Sequence, residues 1–126
     1  MQEIKKLNAK NLSLLPKKVT TPAYDRSKIK TGIVHIGVGG FHRAHEAFYT
    51  DQILHCHGVT DWGICGIALL DTDRKIFDTL VSQDGLYTLI ITESDGTLIS
   101  RVIGSIIEYL FAPENPDAVL EKMAIY

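Results

Sequence analysis

The sequence predicts an α/β fold in which helices connect parallel strands, and three observations support this prediction. A short β-rich run at residues 32–36 is followed by an amphipathic helical pattern and then by a second β-rich run at residues 62–69. This βαβ unit is about 35 residues long, the size that a right-handed parallel crossover needs. A glycine-rich turn lies where the first strand meets the first helix.

The segment before the first strand is predicted to be a leader, residues 1–31, that packs on the domain without being a domain itself. In it, the stretch LNAKNLSLLP predicts one short helix that ends at Pro16, and an extended connection follows. Residues 32–126 are predicted to form the domain itself. The chain is long enough for one small folded unit of this kind.

The remaining elements follow from spacing and turn residues. The first helix is predicted from about Phe41 to Leu54, with Gly58 as its stop, and a second helix covers DRKIFDTLVSQ. Gly96, after an aspartate and between two β-rich runs, predicts a hairpin. A last helix begins after a capping Asn115. The predicted order is therefore β-α-β-α-β-β-α: a βαβ unit, a helix, a β-hairpin and a further helix.

Composition excludes several functions. The net charge of −2 does not indicate a basic surface of the kind that binds nucleic acid. No apolar run approaches the length of about 20 residues that a membrane helix needs, and the first residues are polar, without an apolar signal core. The two cysteines, Cys56 and Cys65, suggest free thiols and no disulfide framework. We therefore expect a cytoplasmic protein with no nucleic-acid or membrane partner.

The glycine turn is nearly a dinucleotide-binding fingerprint, G-x-G-x-x-G. Gly37 and Gly39 stand at the correct spacing after a strand and before a helix, where they make the tight turn and admit a pyrophosphate. The third glycine is replaced by His42. This predicts a helix that begins later or lies further from the sheet, with Gly40 and Phe41 in an enlarged loop.

A small residue one turn further along the helix, Ala44, is expected to provide the close contact with the sheet that the third glycine usually permits. The simpler alternative is that the glycines form only a connecting loop, with no ligand.

An acidic turn follows the second strand at residues 71–74, where a nucleotide-binding domain often binds the adenosine ribose. Asp71 lies closer to the strand end, whereas Asp73 lies deeper in the turn. Either carboxylate could instead cap the second helix. Arg74 could stack on adenine or contact a phosphate, or it could simply be a solvated helix residue.

The sequence does not predict a metal site. His42, His45 and Glu46 lie close together along one helix, and residues 55–57 add two histidines and a cysteine. Neighbouring residues on a helix point in different directions, however, and a zinc site would need further ligands that converge on the same ion. His35 is interpreted as a core histidine of the first strand.

The chain resembles the N-terminal part of the polyol-specific long-chain dehydrogenases. The resemblance rests on GIVHIGVGGFHRAHEAFYTDQIL, DWGICGIALLDTDRK, QDGLYTLI and RVIGSI, and it extends to the leader. It implies a modified Rossmann domain and NAD-dependent, metal-independent interconversion of a polyol and a ketose, typically D-mannitol and D-fructose. The third glycine is absent in this family, so a histidine at position 42 is expected.

The resemblance also implies a cofactor site in this chain. Gly37, Gly39 and the loop to Phe41 match the pyrophosphate-binding turn, and Asp73 matches the residue that selects NAD over NADP. Members often have two acidic residues there, but the first of the pair is Thr72 in this chain, which weakens the expected selectivity. The residues predicted to bind NAD are Ile36, Gly37, Val38, Gly39, Gly40, Phe41, Asp73 and Arg74.

The family's catalytic lysine and its substrate-positioning residues lie in a second, C-terminal domain. None has a counterpart in this sequence, so we predict no catalytic residue here and interpret the chain as a fragment whose polyol or ketose substrate binds through that missing domain. Two alternatives remain open. One is a fructuronate or tagaturonate reductase of the same family, and the other is a complete, non-catalytic nucleotide-binding module.

Overall fold

A computed structural model describes residues 5–125. Residues 1–4 of the predicted leader and residue 126 of the predicted domain therefore lie outside the description. The described part of the leader contains two short 3-10 helices, Ala9–Leu14 and Arg26–Lys28, and a third, Asp71–Asp73, precedes α3. The other elements are β1 Thr31–Ile36, α1 Gly40–Ala44, α2 Glu46–His57, β2 Gly63–Ala68, α3 Arg74–Ser82, β3 Tyr87–Thr92, β4 Leu98–Ile103, β5 Ile106–Phe111 and α4 Pro116–Ile125.

The strands form a three-stranded parallel sheet and a separate antiparallel hairpin. The sheet has the order β1-β2-β5, and the hairpin pairs β3 with β4. All six residues of β2 are buried, as expected for a central parallel strand covered on both faces. The parallel βαβ unit and the Gly96 hairpin turn, with φ of 86°, are as predicted.

The predicted element order lacked β5. Only Gly104 and Ser105 separate β4 from β5, so the apolar run gives no clear turn signal. The second β-rich run of the predicted hairpin extends through both residues to Ile106, and residues 107–111 have no predicted element. At this corner the Gly104 carbonyl accepts a hydrogen bond from Arg26 Nε at 2.9 Å. A Cβ at Gly104 would lie 2.8 Å from Pro22 Cγ, so the leader packs against the corner where the chain leaves the hairpin for the sheet.

The first helical segment also differs from the prediction. The helix begins directly at Gly40, so Gly40 and Phe41 are helical and the expected enlarged loop is absent. The helical path breaks instead at His45 (φ −121°, ψ −88°), which separates α1 from α2. Gly58 ends α2 in the left-handed conformation, with φ of 64°, as the sequence indicated.

Close packing beneath the turn is achieved without a third glycine. Val38 is buried, and a Cβ on Gly66 of β2 would lie only 2.7 Å from Val38 Cγ1. The glycine that permits close approach therefore lies in the neighbouring strand. Ala44, which was expected to supply the small contact, is only half-buried, whereas Ala47 is fully buried in the core.

The described part of the leader is held by a buried polar network centred on Asp51. This carboxylate has no exposed surface and accepts hydrogen bonds from the Tyr24 hydroxyl at 2.5 Å and from the Gly104 amide at 2.9 Å. Arg101 Nη2 forms an ion pair with it at 3.1 Å. Burial and the neighbouring Asp51 raise the pKa of Tyr24 well above its usual value. Asp51 thus joins the leader, α2 and the hairpin.

Three further features concern the start of α4, the apolar character of the helices and the environment of Cys65. The Asn115 side chain caps α4 by accepting a hydrogen bond from the Ala118 amide at 3.0 Å, as predicted. Within residues 5–125, no helix has the length and apolar character required to cross a membrane. Burial raises the pKa of the Cys65 thiol to about 11, as is typical of an inert thiol in a protein core.

Candidate functional site

The glycine turn connects β1 to α1 at the carboxyl end of the sheet. The Gly37 amide donates a hydrogen bond to the Ile67 carbonyl of β2 at 2.7 Å, and its φ of 111° is a conformation that side-chain-bearing residues rarely adopt. Gly39 is the N-cap of α1, and a Cβ built on it would have no atom within 4 Å. The turn therefore leaves open space beside Gly39.

Two side chains hold the carbonyl oxygens of this turn. His35 Nδ1 lies 2.9 Å from the Gly37 carbonyl, and Arg43 Nε donates to the Val38 carbonyl at 3.1 Å. Because a carbonyl can only accept, the His35 nitrogen in this contact carries its hydrogen. No side chain caps the start of α1. The Gly37 N–H is used in the bond to Ile67, but the N–H groups of Val38 and Gly39 have no acceptor among the described residues and are available as donors, which suits an anionic ligand.

A cleft of about 340 Å³ opens beside the turn and is lined by Gly37, Gly39 and the side chains of His35, Phe41, His42, His45 and Glu46. Phe41 is 80% exposed and stacks on His45, with ring centroids 4.2 Å apart. Ile36, at the end of β1, is also exposed. Among the residues at positions 36–41, which are predicted to contact a cofactor, all except the buried Val38 have accessible surface.

The acidic turn follows the neighbouring strand, β2, so it lies at the same edge of the sheet. Asp73 accepts a hydrogen bond from the Leu70 amide at 3.0 Å, which closes the 3-10 turn at residues 71–73. Asp73 is also the N-cap residue of α3, but its side chain makes no capping hydrogen bond to that helix within the described residues. Arg74 forms an ion pair with Glu114 at 2.7 Å and lies 4.2 Å from the centre of the Phe111 ring. Asp71 is exposed. The ribose role of Asp73 and the phosphate or adenine role of Arg74 stay predictions.

Two histidines from different elements, His35 and His42, meet beside the turn, a contact that was not predicted from the sequence. His35 and His42 stack with centroids 3.7 Å apart and an interplanar angle of 15°. His42 is buried, and both of its ring nitrogens lack a hydrogen-bond partner in the described chain. Burial, followed by His35 and Arg43, lowers the pKa of His42 to about 4, so its ring is neutral. The sequence feature that could have indicated this contact is His35, seven residues before His42, which replaces the third glycine.

His35, His42 and Glu46 are also close enough to suggest a metal site, with potential ligand atoms within 4.8 Å of one another. The lone pairs of an imidazole lie in the plane of its ring. Two stacked, nearly parallel rings therefore cannot direct their nitrogens at one ion. The absence of a metal stays a prediction, and the stacked geometry supports it.

Comparison with known proteins shows the family to which this chain belongs. The Mannitol dehydrogenase Rossmann domain profile matches residues 31–125. The chain belongs to this mannitol dehydrogenase family. Curated relatives include mannitol 2-dehydrogenase of Phaeosphaeria nodorum, 55% identical over 94% of this chain, and mannitol 2-dehydrogenase of Pyricularia oryzae, 46% identical over 94% of it.

Solved structures agree with the family and with the fold. The Pseudomonas fluorescens mannitol 2-dehydrogenase in a ternary complex with NAD and D-mannitol superposes with a TM-score of 0.90, at 45% identity, over 95% of this chain. A D-sorbitol dehydrogenase in substrate-free form gives a TM-score of 0.81 at 44% identity, over 91% of the chain. The modified Rossmann fold expected from the sequence is confirmed.

The family members are much longer than this chain. It spans 21% of the Phaeosphaeria nodorum protein and 24% of the Pseudomonas fluorescens protein. The matched part is the Rossmann domain, so most of each relative has no counterpart among these 126 residues.

Proposed function

We propose that this chain is the NAD-binding part of an oxidoreductase that interconverts a polyol and a ketose, with D-mannitol and D-fructose as the first pair to test. The observation that carries the proposal is the TM-score of 0.90, at 45% identity, with a mannitol 2-dehydrogenase that was solved with NAD and D-mannitol. The geometry of the glycine turn supports it independently, because its open space and free amides suit a pyrophosphate.

The residues of this chain would bind and orient the cofactor. Gly37 makes the turn, Gly39 leaves room for the pyrophosphate, and Phe41 offers an exposed aromatic face at the mouth of the cleft. NAD supplies the hydride chemistry when bound. A base from a C-terminal substrate domain, of the kind that the longer relatives have room for, would take the proton of the hydroxyl group.

A cytoplasmic location is part of the same proposal.

The ribose role of Asp73 gives a test of cofactor selectivity. Asp73→Ala should weaken NAD binding by about 1–3 kcal/mol, because the ribose hydroxyls lose their acceptor. Discrimination against NADP should fall as well. Titration of the protein encoded by the complete reading frame with NADH and NADPH measures both effects.

Asp71→Ala is the matched control, since Asp71 is an exposed carboxylate in the same turn. Because Asp73 also bonds the Leu70 amide, thermal unfolding must be recorded for both variants. If Asp73→Ala leaves both affinities unchanged, Asp73 is not part of the site. If Asp71→Ala alone weakens NADH binding, the ribose acceptor is Asp71.

The activity itself is tested by NADH oxidation with D-fructose and D-fructuronate offered side by side to the complete translated protein. We expect oxidation with D-fructose and none with the 126-residue chain alone. Oxidation with D-fructuronate only would move the assignment to the uronate reductases of the family. Activity of the 126-residue chain alone would show that the catalytic groups lie within it. NADH binding without activity toward any of these sugars would favour a non-catalytic module.

A further inference from the structure

The carbonyl oxygens of the glycine turn are not free, and the way in which they are held has a consequence for the neighbouring amides. In a trans peptide the C=O and the following N–H point in opposite directions. His35 holds the Gly37 carbonyl and thereby sets the direction of the Val38 N–H. Arg43 holds the Val38 carbonyl and sets the direction of the Gly39 N–H in the same way. Neither amide has an acceptor in the part of the chain described.

The His35 ring is itself held in place. Its face lies against the buried ring of His42, with centroids 3.7 Å apart. Its edge lies near Gly37, since a Cβ at that position would be 3.7 Å from His35 Cε1. The residue that occupies the place of the third glycine therefore has a structural partner on β1. Packing against His42 restricts rotation of the His35 ring and keeps its Nδ1 directed at the turn.

We propose that His35 is a positioning residue for the cofactor: it fixes the peptide group between Gly37 and Val38 so that the turn presents its amides to the pyrophosphate. His42 supports this arrangement by stacking and not by hydrogen bonding, in agreement with its two unpartnered nitrogens. A preorganised set of amide donors binds an anion without reorganising on association. The inference rests on the proposed NAD-binding function.

Alternative roles for the two histidines are less consistent with their surroundings. The groups that face His42 are His35, Arg43 and, at 3.8 Å, Glu46. Burial keeps the His42 ring neutral, as does the nearby Arg43. A neutral ring with solvent-inaccessible nitrogens is poorly suited to shuttle a proton, whereas it packs well against a second imidazole.

The test uses three substitutions at one position in the protein encoded by the complete reading frame. His35→Asn places an amide donor where Nδ1 stands, His35→Gln places it one bond further along the side chain, and His35→Leu removes it. NADH affinity is measured by fluorescence titration, and thermal unfolding is recorded for every variant. We expect His35→Asn to bind NADH within about twofold of wild type, whereas the Gln and Leu variants bind roughly tenfold more weakly, the loss expected for one hydrogen bond.

The comparison of Asn with Gln decides the outcome, because both side chains are polar amides and differ in where the N–H group lies. A purely structural role would change NADH affinity only in parallel with the thermal unfolding temperature, whereas the positioning role separates the two affinities beyond any difference in stability. If His35→Leu does not fold, that pair still gives the answer. Wild-type affinity in all three variants would overturn the inference alone. Weak binding or misfolding of His35→Asn would overturn it too, since a donor at the δ position would then be insufficient. A wild-type protein that does not bind NADH would overturn the proposed function along with the inference.

Discussion

Gly39→Val is expected to raise the dissociation constant for NADH at least about 100-fold, a loss of roughly 2.7 kcal/mol. The fold should survive, because no atom lies within 4 Å of the position that a Cβ would take and φ at Gly39 is an ordinary −73°. The isopropyl group would instead fill the open space beside the turn, where the pyrophosphate is proposed to lie. Fluorescence titration with NADH measures the effect in the complete translated protein.

The stability of the same variant separates a blocked site from a damaged fold. Valine is a poor N-cap, so we expect a loss of about 1 kcal/mol in the free energy of unfolding. Thr97→Val, which introduces valine at an exposed position of the β3–β4 turn, serves as the control and should bind NADH normally. Normal NADH binding by Gly39→Val would rule out the glycine turn as the pyrophosphate site.

Asp51→Ala is expected to lower the free energy of unfolding by about 3–5 kcal/mol. The substitution removes the acceptor shared by the Tyr24 hydroxyl, Arg101 and the Gly104 amide. Arg101 would then keep its charge in a place where only 16% of its side chain is exposed. Chemical denaturation monitored by circular dichroism gives the magnitude.

A milder variant and an exposed aspartate complete this experiment. Tyr24→Phe removes only one donor and should cost about 1 kcal/mol, so it remains measurable if Asp51→Ala does not fold. Asp78→Ala, on the exposed face of α3, should change the free energy of unfolding by no more than about 0.5 kcal/mol. An Asp51→Ala protein as stable as Asp78→Ala would show that the network does not hold the leader.

Local patterns predicted most of the fold because they act within a few residues. The apolar run of β1, the stop at Gly58 and the cap at Asn115 each depend on near neighbours. Strand β5 was missed because its separation from β4 depends on contacts with the leader at Gly104, which no local pattern encodes. The break at His45 likewise has no glycine or proline to mark it.

The candidate site was predictable where it is a backbone motif and not where it depends on side chains from different elements. Gly37 and Gly39 could be placed from their spacing alone. The stacking of His42 on His35 joins a helix to a strand, and the ion pair of Arg74 with Glu114 spans 40 positions in sequence. The close approach permitted by Gly66 belongs to a neighbouring strand and is visible only once β1 and β2 are paired.

The attachment of the leader has a consequence for the order of folding during synthesis. Arg26 Nη2 donates to the Ile106 carbonyl at 3.0 Å, across a separation of 80 residues. Contacts so distant in sequence form slowly, because a long loop must close first. A ribosome adds roughly 5–20 residues per second. The leader is therefore synthesised several seconds before β5, the strand that contains Ile106. During that interval the βαβ unit of β1, α1, α2 and β2 can form before the leader packs against the domain.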